Sequence, residues 1–203
     1  MGYMNNEVRL ILEKDVDSAA ASLAKAFMND PLQNYAFPDE QERKERSPAH
    51  FKAGVEYGMK FGEVYTTTHG EGAVVCLPPN ATDITPEKAE EGGLNRLPQL
   101  LGEEQANRFF SVLDFIGAYH NQDVPEPHWY VMILGVDPVH HGKGLGKALL
   151  EPVMKKAGAN GQPVYLETAQ PNNVPFYEKQ GFRVLREVVD PQSELKLWTF
   201  RKG

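Results

Sequence analysis

Six consecutive residues, Gly142-Lys143-Gly144-Leu145-Gly146-Lys147, set three glycines and two lysines directly ahead of an amphipathic run that begins Ala148-Leu149-Leu150. That pattern suits anion binding. A helix N-terminus carries unpaired backbone N–H groups and the positive end of the helix dipole, and glycine lets the backbone come within hydrogen-bonding range of phosphate oxygens. Val131 to Val136, upstream, is an apolar run closed by Asp137-Pro138, so the order is buried strand, turn, glycine loop, helix. The expected ligand is a phosphate or pyrophosphate. Two common phosphate loops do not fit. A Walker loop ending at Gly146-Lys147 needs glycine at His141 and Ser or Thr at Ala148, and G-x-G-x-x-G begun at Gly142 or Gly144 meets Lys147 or Leu149 in its last place.

Val136, Pro138, Gly144 and Gly146 do fall on the pattern V-x-P-x-x-[QR]-x-x-G-x-[GA], with His141 where Gln or Arg is usual. Downstream, Asn172-Asn173-Val174-Pro175-Phe176-Tyr177-Glu178-Lys179-Gln180-Gly181-Phe182 matches a second motif, an Asn at the start of a short helix followed by a Tyr. In these two ordered segments the chain resembles the Gcn5-related N-acetyltransferase (GNAT) superfamily. It looks most like puromycin N-acetyltransferase-like members, which share the glycine loop, the Leu166-Glu167-Thr168 strand and the Pro175-Phe176-Tyr177 segment. The strong resemblance covers Trp129 to Gly203.

The resemblance implies an α/β GNAT fold: a central mixed, mostly antiparallel sheet with two splayed parallel strands and flanking helices. It implies acetyl-coenzyme A as cosubstrate, no metal, and direct transfer of the acetyl group to an amine in a ternary complex, the acceptor being a small molecule. Contacts to the coenzyme would come from Leu134, Gly135 and Val136 toward the pantetheine arm. His141, Gly142, Lys143, Gly144, Leu145, Gly146 and Lys147 would lie around the pyrophosphate. Asn173 would cap the short helix and touch the arm, and Tyr177 would sit beside the sulfur. Acetyl transfer from a thioester needs an unprotonated amine, a donor for the developing oxyanion and a proton for the departing thiolate. Tyr177 resembles the family's general acid, the backbone N–H of Gly135 or Val136 would serve the oxyanion, and Glu167 near a strand end is the candidate base. Other readings of Glu167 are a charge on a solvated strand face or one paired with a cation. Two further readings of the whole chain are an acyl-coenzyme A sensor without turnover and an enzyme acting on protein amino groups.

The elements that position these residues read as follows. Glu7 to Leu12 alternates as a strand, and Asp15 caps a helix with Val16, Ala19, Ala20, Leu23, Ala24 and Phe27 on its apolar face. Residues 30–38 read as a pocket-shaping loop, and about 38–61 as a charged helix. Glu63 to Thr68 and Gly72 to Leu77 form a hairpin around His69-Gly70-Glu71. Residues 81–93 read as loop, and Leu94 to Tyr119 as one or two helices over the acceptor side. The expected organisation is one domain over 1–203 with a helical insertion at about 81–120. Gly135, isolated in a strand, predicts a bulge there. In the strand Pro163 to Thr168, Tyr165 and Glu167 share one face and Val164 and Leu166 the other. Phe182 to Val189 and Glu194 to Phe200 make an antiparallel pair.

With 203 residues, 41% hydrophobic and 24% charged, the chain has an ordinary globular composition and can bury roughly 70% of its unfolded surface. A net charge of −7 with dispersed Lys and Arg argues against nucleic acid and favours a cationic acceptor. No apolar stretch reaches membrane-spanning length and no signal segment opens the chain, so the expectation is a cytoplasmic monomer or homodimer without a membrane partner. Cys76, the single cysteine, lies in an apolar run and reads as a small buried hydrophobe. The six histidines show no metal-ligand spacing.

Overall fold

A computed structural model describes residues 7–203. Its strands are β1 (Val8–Leu10), β2 (Glu63–Thr67), β3 (Gly72–Leu77), β4 (Trp129–Val136), β5 (Val164–Thr168), β6 (Arg183–Val189) and β7 (Lys196–Lys202). Its α-helices are α1 (Val16–Ala26), α2 (Pro31–Ala36), α3 (Glu40–Phe61), α4 (Pro86–Glu91), α5 (Leu97–Leu101), α6 (Glu103–Asp123), α7 (Leu145–Ala159) and α8 (Val174–Lys179). The strands form one sheet in the order β1-β2-β3-β4-β5-β7-β6, antiparallel at every junction except β4–β5. This is the expected mixed α/β architecture with flanking helices.

The parallel junction is short. Trp129 pairs with Val164 and Tyr130 with Tyr165, after which β4 continues to Val136 and β5 to Thr168 without further pairing. Helix packing differs on the two faces of the sheet. Leu145, Leu149, Leu150 and Val153 of α7 and Tyr177 of α8 share a core with Trp129, Val131, Val164 and Leu166. On the other face, α1 and α3 bring Leu23, Phe51 and Val55 against Val64, Ala73 and Val75. Helices α2, α5 and α6 extend that layer past β5.

The bulge in β4 lies at Met132, not at Gly135. Ile133 stands opposite Val75 and Val131 opposite Cys76, so Met132 is the extra residue, while Gly135 pairs in register with Ala73. The bulge shifts side-chain parity: Val131 and Leu134 both face the α7 core, and Met132 and Ile133 both face α1 and α3. Gly135 has a different cause. A Cβ there would lie 2.8 Å from Leu23, 2.9 Å from Ala26 and 3.0 Å from Phe27, so glycine allows α1 to rest directly on the strand.

Two segments expected as loops contain helices. Asp30 Oδ1 accepts from the amides of Leu32 and Gln33, with Pro31 in the first helical position, and this N-cap starts α2 inside residues 30–38. Thr85 Oγ1 accepts from the Lys88 amide ahead of Pro86 and starts α4 inside residues 81–93. Asp15, by contrast, makes no side-chain cap to α1; its carboxylate accepts from Arg9 at 2.7 Å and from the Leu12 amide. Cys76 is fully buried, and burial raises its thiol pKa.

These contacts predict opposite signs for two glycine-to-alanine changes. Gly135→Ala overpacks the α1–β4 contact and lowers unfolding free energy by about 1–3 kcal/mol. Gly158→Ala, in α7 with no atom within 4 Å of the added Cβ, raises it by about 0.5–1 kcal/mol. Urea titrations of both variants against the parent check the pair; equal effects would contradict the packing account.

Candidate functional site

Asp137 anchors the turn after β4. Its Oδ1 accepts from the Val139 amide at 3.1 Å and its Oδ2 pairs with Lys25 Nζ at 2.9 Å, which holds the carboxyl pKa below the ordinary range. The His141 ring turns back so that Nε2 donates to the Val136 carbonyl at 2.9 Å. Gly142 and Gly144 then take left-handed φ values of 77° and 79°, and α7 begins at Leu145. The Ala148 amide donates to the Gly144 carbonyl, so the amides of Leu145, Gly146 and Lys147 precede the first intrahelical bond. His140 Nδ1 lies 3.0 Å from Lys143 Nζ. Of the glycines, Gly146 answers to a neighbour: an added Cβ would stand 3.2 Å from the Phe176 ring, so its absence lets α8 pack against the start of α7.

Beyond the loop, the unpaired part of β4 borders a gap. The Asp137 amide donates to the Glu71 carbonyl, and Gly135 sits opposite Ala73. By the two-residue alternation of an antiparallel ladder, Gly135 therefore turns its backbone groups toward β3, while Leu134 and Val136 turn theirs toward the gap. The Val136 carbonyl is already engaged by His141, which leaves the Val136 N–H and the Leu134 backbone groups facing the opening. Of the two amides weighed from sequence, that of Val136 is turned to the opening and that of Gly135 is not.

Helix α8 closes the far side. Tyr177 is buried there against Phe182 and Phe200, and its hydroxyl forms no hydrogen bond with another described residue. Desolvation, then the nearby Asp30 carboxyl, raises the phenol pKa. Asn173 is not the helix cap expected of it. It has helical backbone angles, and its Nδ2 donates to Thr168 Oγ1 at 3.1 Å, tying the start of α8 to the end of β5.

On the opposite face of the sheet, a cavity of about 530 Å3 runs from the gap to the surface. Tyr130, Met132 and Ile133 of β4 and Glu167, Thr168 and Ala169 of β5 lie along it at the sheet. Tyr165 and Glu167 share a face, as the strand alternation predicts. The Glu167 side chain is 11% exposed and accepts from the Tyr130 hydroxyl at 2.8 Å. Burial lifts its pKa from 4.5 to about 7, against the lowering pull of the tyrosine hydroxyls. Neither alternative reading of this residue holds: it is not solvated and no Lys or Arg among the described residues pairs with it.

The nearest nitrogen is His120 Nδ1, 4.0 Å from Glu167 Oε1. His128 Nδ1 lies 2.7 Å from the Glu126 carbonyl, which can only accept, so that nitrogen carries the proton. His128 Nε2 lies 2.7 Å from His120 Nε2, so one of the two rings donates to the other. Burial, then His128, lowers the His120 pKa to about 4. A neutral imidazole, not a cation, thus faces Glu167. Asp123 is engaged elsewhere, by Arg186 Nε at 2.5 Å and Thr199 Oγ1 at 2.6 Å.

Sequence reasoning missed Asp30, Tyr130, His120 and Arg43. Asp30 lines the cavity, and desolvation raises its carboxyl pKa to about 6. Arg43 is buried and donates from Nε to the Met28 carbonyl at 2.9 Å and from its other arm to the Phe37 carbonyl, fixing both ends of the segment that holds Asp30. The Asp30-Pro31 pair is a helix-start signal that was present in the sequence; the other three carried no local mark.

A family model described as the acetyltransferase (GNAT) family matches residues 87–182. An uncharacterized N-acetyltransferase of Schizosaccharomyces pombe is 30% identical over 175 residues, spanning 83% of this chain and 71% of the other. Among solved structures, arylalkylamine N-acetyltransferase 2 of Aedes aegypti superposes with a TM-score of 0.62 at 22% identity, covering 98% of each chain. An agmatine N-acetyltransferase superposes with a TM-score of 0.65 at 17% identity, covering 97% of this chain and 98% of that one. Likeness at these identities establishes the shared fold. Together with the relative that matches over most of both chains, it places this chain in the GNAT family of acetyltransferases.

Proposed function

We propose that this acetyltransferase moves the acetyl group of acetyl-coenzyme A directly to the amino group of a small molecule while both are bound. The observation that carries the reading is the gap between β4 and β5. It lies between Tyr177 with the glycine loop on one face and a buried carboxylate with no cationic partner on the other. Acetyl-coenzyme A supplies the thioester. The loop amides from Gly142 to Lys147 suit the pyrophosphate, because three of them precede the first helical bond and two left-handed glycines leave the backbone bare, whereas the His141 amide is spent on the Pro138 carbonyl. Leu134 and Val136 offer backbone groups to an extended amide chain, while those of Gly135 are turned away.

The chain's own residues divide the proton work. Glu167 takes a proton from the acceptor's ammonium, a role suited to a carboxyl with a pKa near 7. The Val136 N–H is the donor available to the carbonyl oxygen. Tyr177 gives its proton to the departing sulfur, and its high pKa keeps that proton in place until then. On this reading residues 7–203 form one acetyltransferase domain, and the segment at about 81–120 is the insertion that roofs the acceptor cavity. The basic test is thiol release on incubation with acetyl-coenzyme A and a panel of amines; binding without thiol release would identify a sensor instead.

Three expectations follow for variants. Rate at limiting acceptor rises with pH through about 7 as Glu167 ionises, and Glu167→Gln lowers turnover by about 10²–10⁴-fold and removes that limb. The groups bearing on this titration are Tyr130, Tyr165, His120 and Asp123. Stability moves the other way. Because the folded pKa lies above the ordinary 4.5, the native state binds the proton more tightly, and the parent loses stability as pH climbs from about 4.5 past 7. Glu167→Gln therefore melts higher than the parent at pH 8 and close to it at pH 4, by calorimetry.

Tyr177→Phe keeps the ring packing and breaks no hydrogen bond to a described residue, so stability changes little while single-turnover transfer falls by about 10²–10⁴-fold. Full activity in this variant would remove Tyr177 from the mechanism. At the loop, Gly144→Glu combines a strained left-handed φ of 79° with a negative charge and abolishes coenzyme binding in calorimetry. His141→Gln leaves binding nearly intact, since a glutamine amide can also donate to the Val136 carbonyl.

A further inference from the structure

The cavity's walls contrast with its deep end. Away from the sheet, helices α3, α5 and α6 line it with Phe51, Leu97, Phe109, Phe110, Leu113 and Ile116. No Lys or Arg is among its lining residues, and its carboxylates are Glu167, Asp30 and Asp114. Asp114 is an exposed residue, and Leu113 beside it is 37% exposed, so α6 carries the lining out to the surface there. Glu167 thus stands at the sheet, next to the gap; Asp30 is a second carboxylate of the lining, its Oδ1 taken by the Leu32 and Gln33 amides, and most of the remaining wall is hydrocarbon and aromatic ring. A volume of about 530 Å3 lies in the range of small-molecule sites, about 300–1,000 Å3.

We infer that the acceptor is a primary amine with one cationic head and an apolar body, the ammonium seated at Glu167 and the body among the α3, α5 and α6 side chains. This rests on the acetyl-transfer reading for its chemistry and deepens it by naming the acceptor class. A buried carboxylate with only a neutral imidazole nearby gains an opposite charge when the ammonium enters, and the apolar walls gain from covering hydrocarbon. For the second ammonium of an enclosed diamine the remaining desolvated carboxylate is Asp30, one oxygen of which is already taken by the Leu32 and Gln33 amides; elsewhere that ammonium would lie among Leu97, Phe109 and Ile116, where the water it loses is not replaced. The exposed Asp114 carboxylate does little to offset that loss, because surface ion pairs are weak. A methyl- or ethylamine finds the same carboxylate and leaves the walls uncovered.

The test is equilibrium binding of amines to the full chain by calorimetry, in the absence of acetyl-coenzyme A, at pH 8. The probes are a straight-chain series from ethylamine to octylamine, 2-phenylethylamine and 1,4-diaminobutane. Affinity should climb by about fourfold per added methylene until the cavity is filled. 2-Phenylethylamine should bind at least about tenfold more tightly than ethylamine. 1,4-Diaminobutane should bind at least about tenfold more weakly than butylamine. Glu167→Gln should weaken 2-phenylethylamine at least about tenfold, and Leu113→Ala, at the partly exposed part of the wall, should weaken octylamine more than butylamine. A diamine that binds as well as the monoamine, a series with no dependence on chain length, or no binding by any amine overturns the inference. Thiol release from acetyl-coenzyme A with any amine would leave the acetyl-transfer reading standing in each of those cases. Tight binding of the apolar amines without thiol release would sustain the acceptor class and remove the transfer step.

Discussion

The structure depends on the interruption of one hydrogen-bonded ladder. β4 and β5 pair over two residues and then diverge, which leaves backbone groups at the middle of a sheet without a neighbouring strand. Such groups are costly to bury unpaired, so a fold that opens its own sheet must satisfy them in another way. Here the Val136 carbonyl is met by the His141 ring, and the remaining groups of Leu134 and Val136 face the opening. The opening also sets the geography of the site, because it is where the two faces of the sheet communicate. Loop, α8 and Tyr177 lie on one face; the cavity and Glu167 lie on the other.

What keeps the gap in place is packing on both sides of it. Gly135 admits α1 against the strand beside the opening, and Gly146 admits Phe176 against the start of α7. Asn173 fastens α8 to Thr168, a residue that itself lines the cavity. The two faces are therefore coupled through a short polar contact, and the distance from phenol to carboxylate is governed by the sheet rather than by loops. Arg43 makes the corresponding attachment on the cavity side by donating to carbonyls at either end of the Asp30 segment.

Charge is distributed to match. Of the cationic groups near the cavity face, Arg186 is committed to Asp123 and Arg201 to Glu126. The imidazole beside Glu167, that of His120, is kept neutral by burial. Glu167 is left buried, hydrogen-bonded to one phenol and without a counter-charge. Leaving a carboxylate in that state destabilises the native chain at high pH, a cost characteristic of sites that work on a ligand rather than of purely structural ion pairs.

Several of these features were legible in the sequence because they arise between near neighbours along the chain. The glycine loop ahead of an amphipathic helix, the turn at Asp137-Pro138 and the hairpin at residues 63–77 are local patterns. So is the alternation that puts Tyr165 and Glu167 on one face, and the Asn-to-Tyr segment of α8. Local pattern also misled. A lone glycine in a strand suggested a bulge, and an Asn ahead of a helix suggested a cap, yet the bulge sits at Met132 and Asn173 reaches for Thr168. Those outcomes turn on atoms far away in sequence: α1 packing on Gly135, and the end of β5 lying beside α8. The same holds for the site's electrostatics. Whether Glu167 has a cationic partner depends on where His120, Arg186 and Asp123 come to rest, and the apolar cavity exists only once helices from residues 30–123 are laid over the sheet. Spacing along one chain determined which groups could do the chemistry; burial and contacts across 40 to 110 or so residues, as in the Lys25–Asp137 pair with its separation of 112, decided which of them face one another.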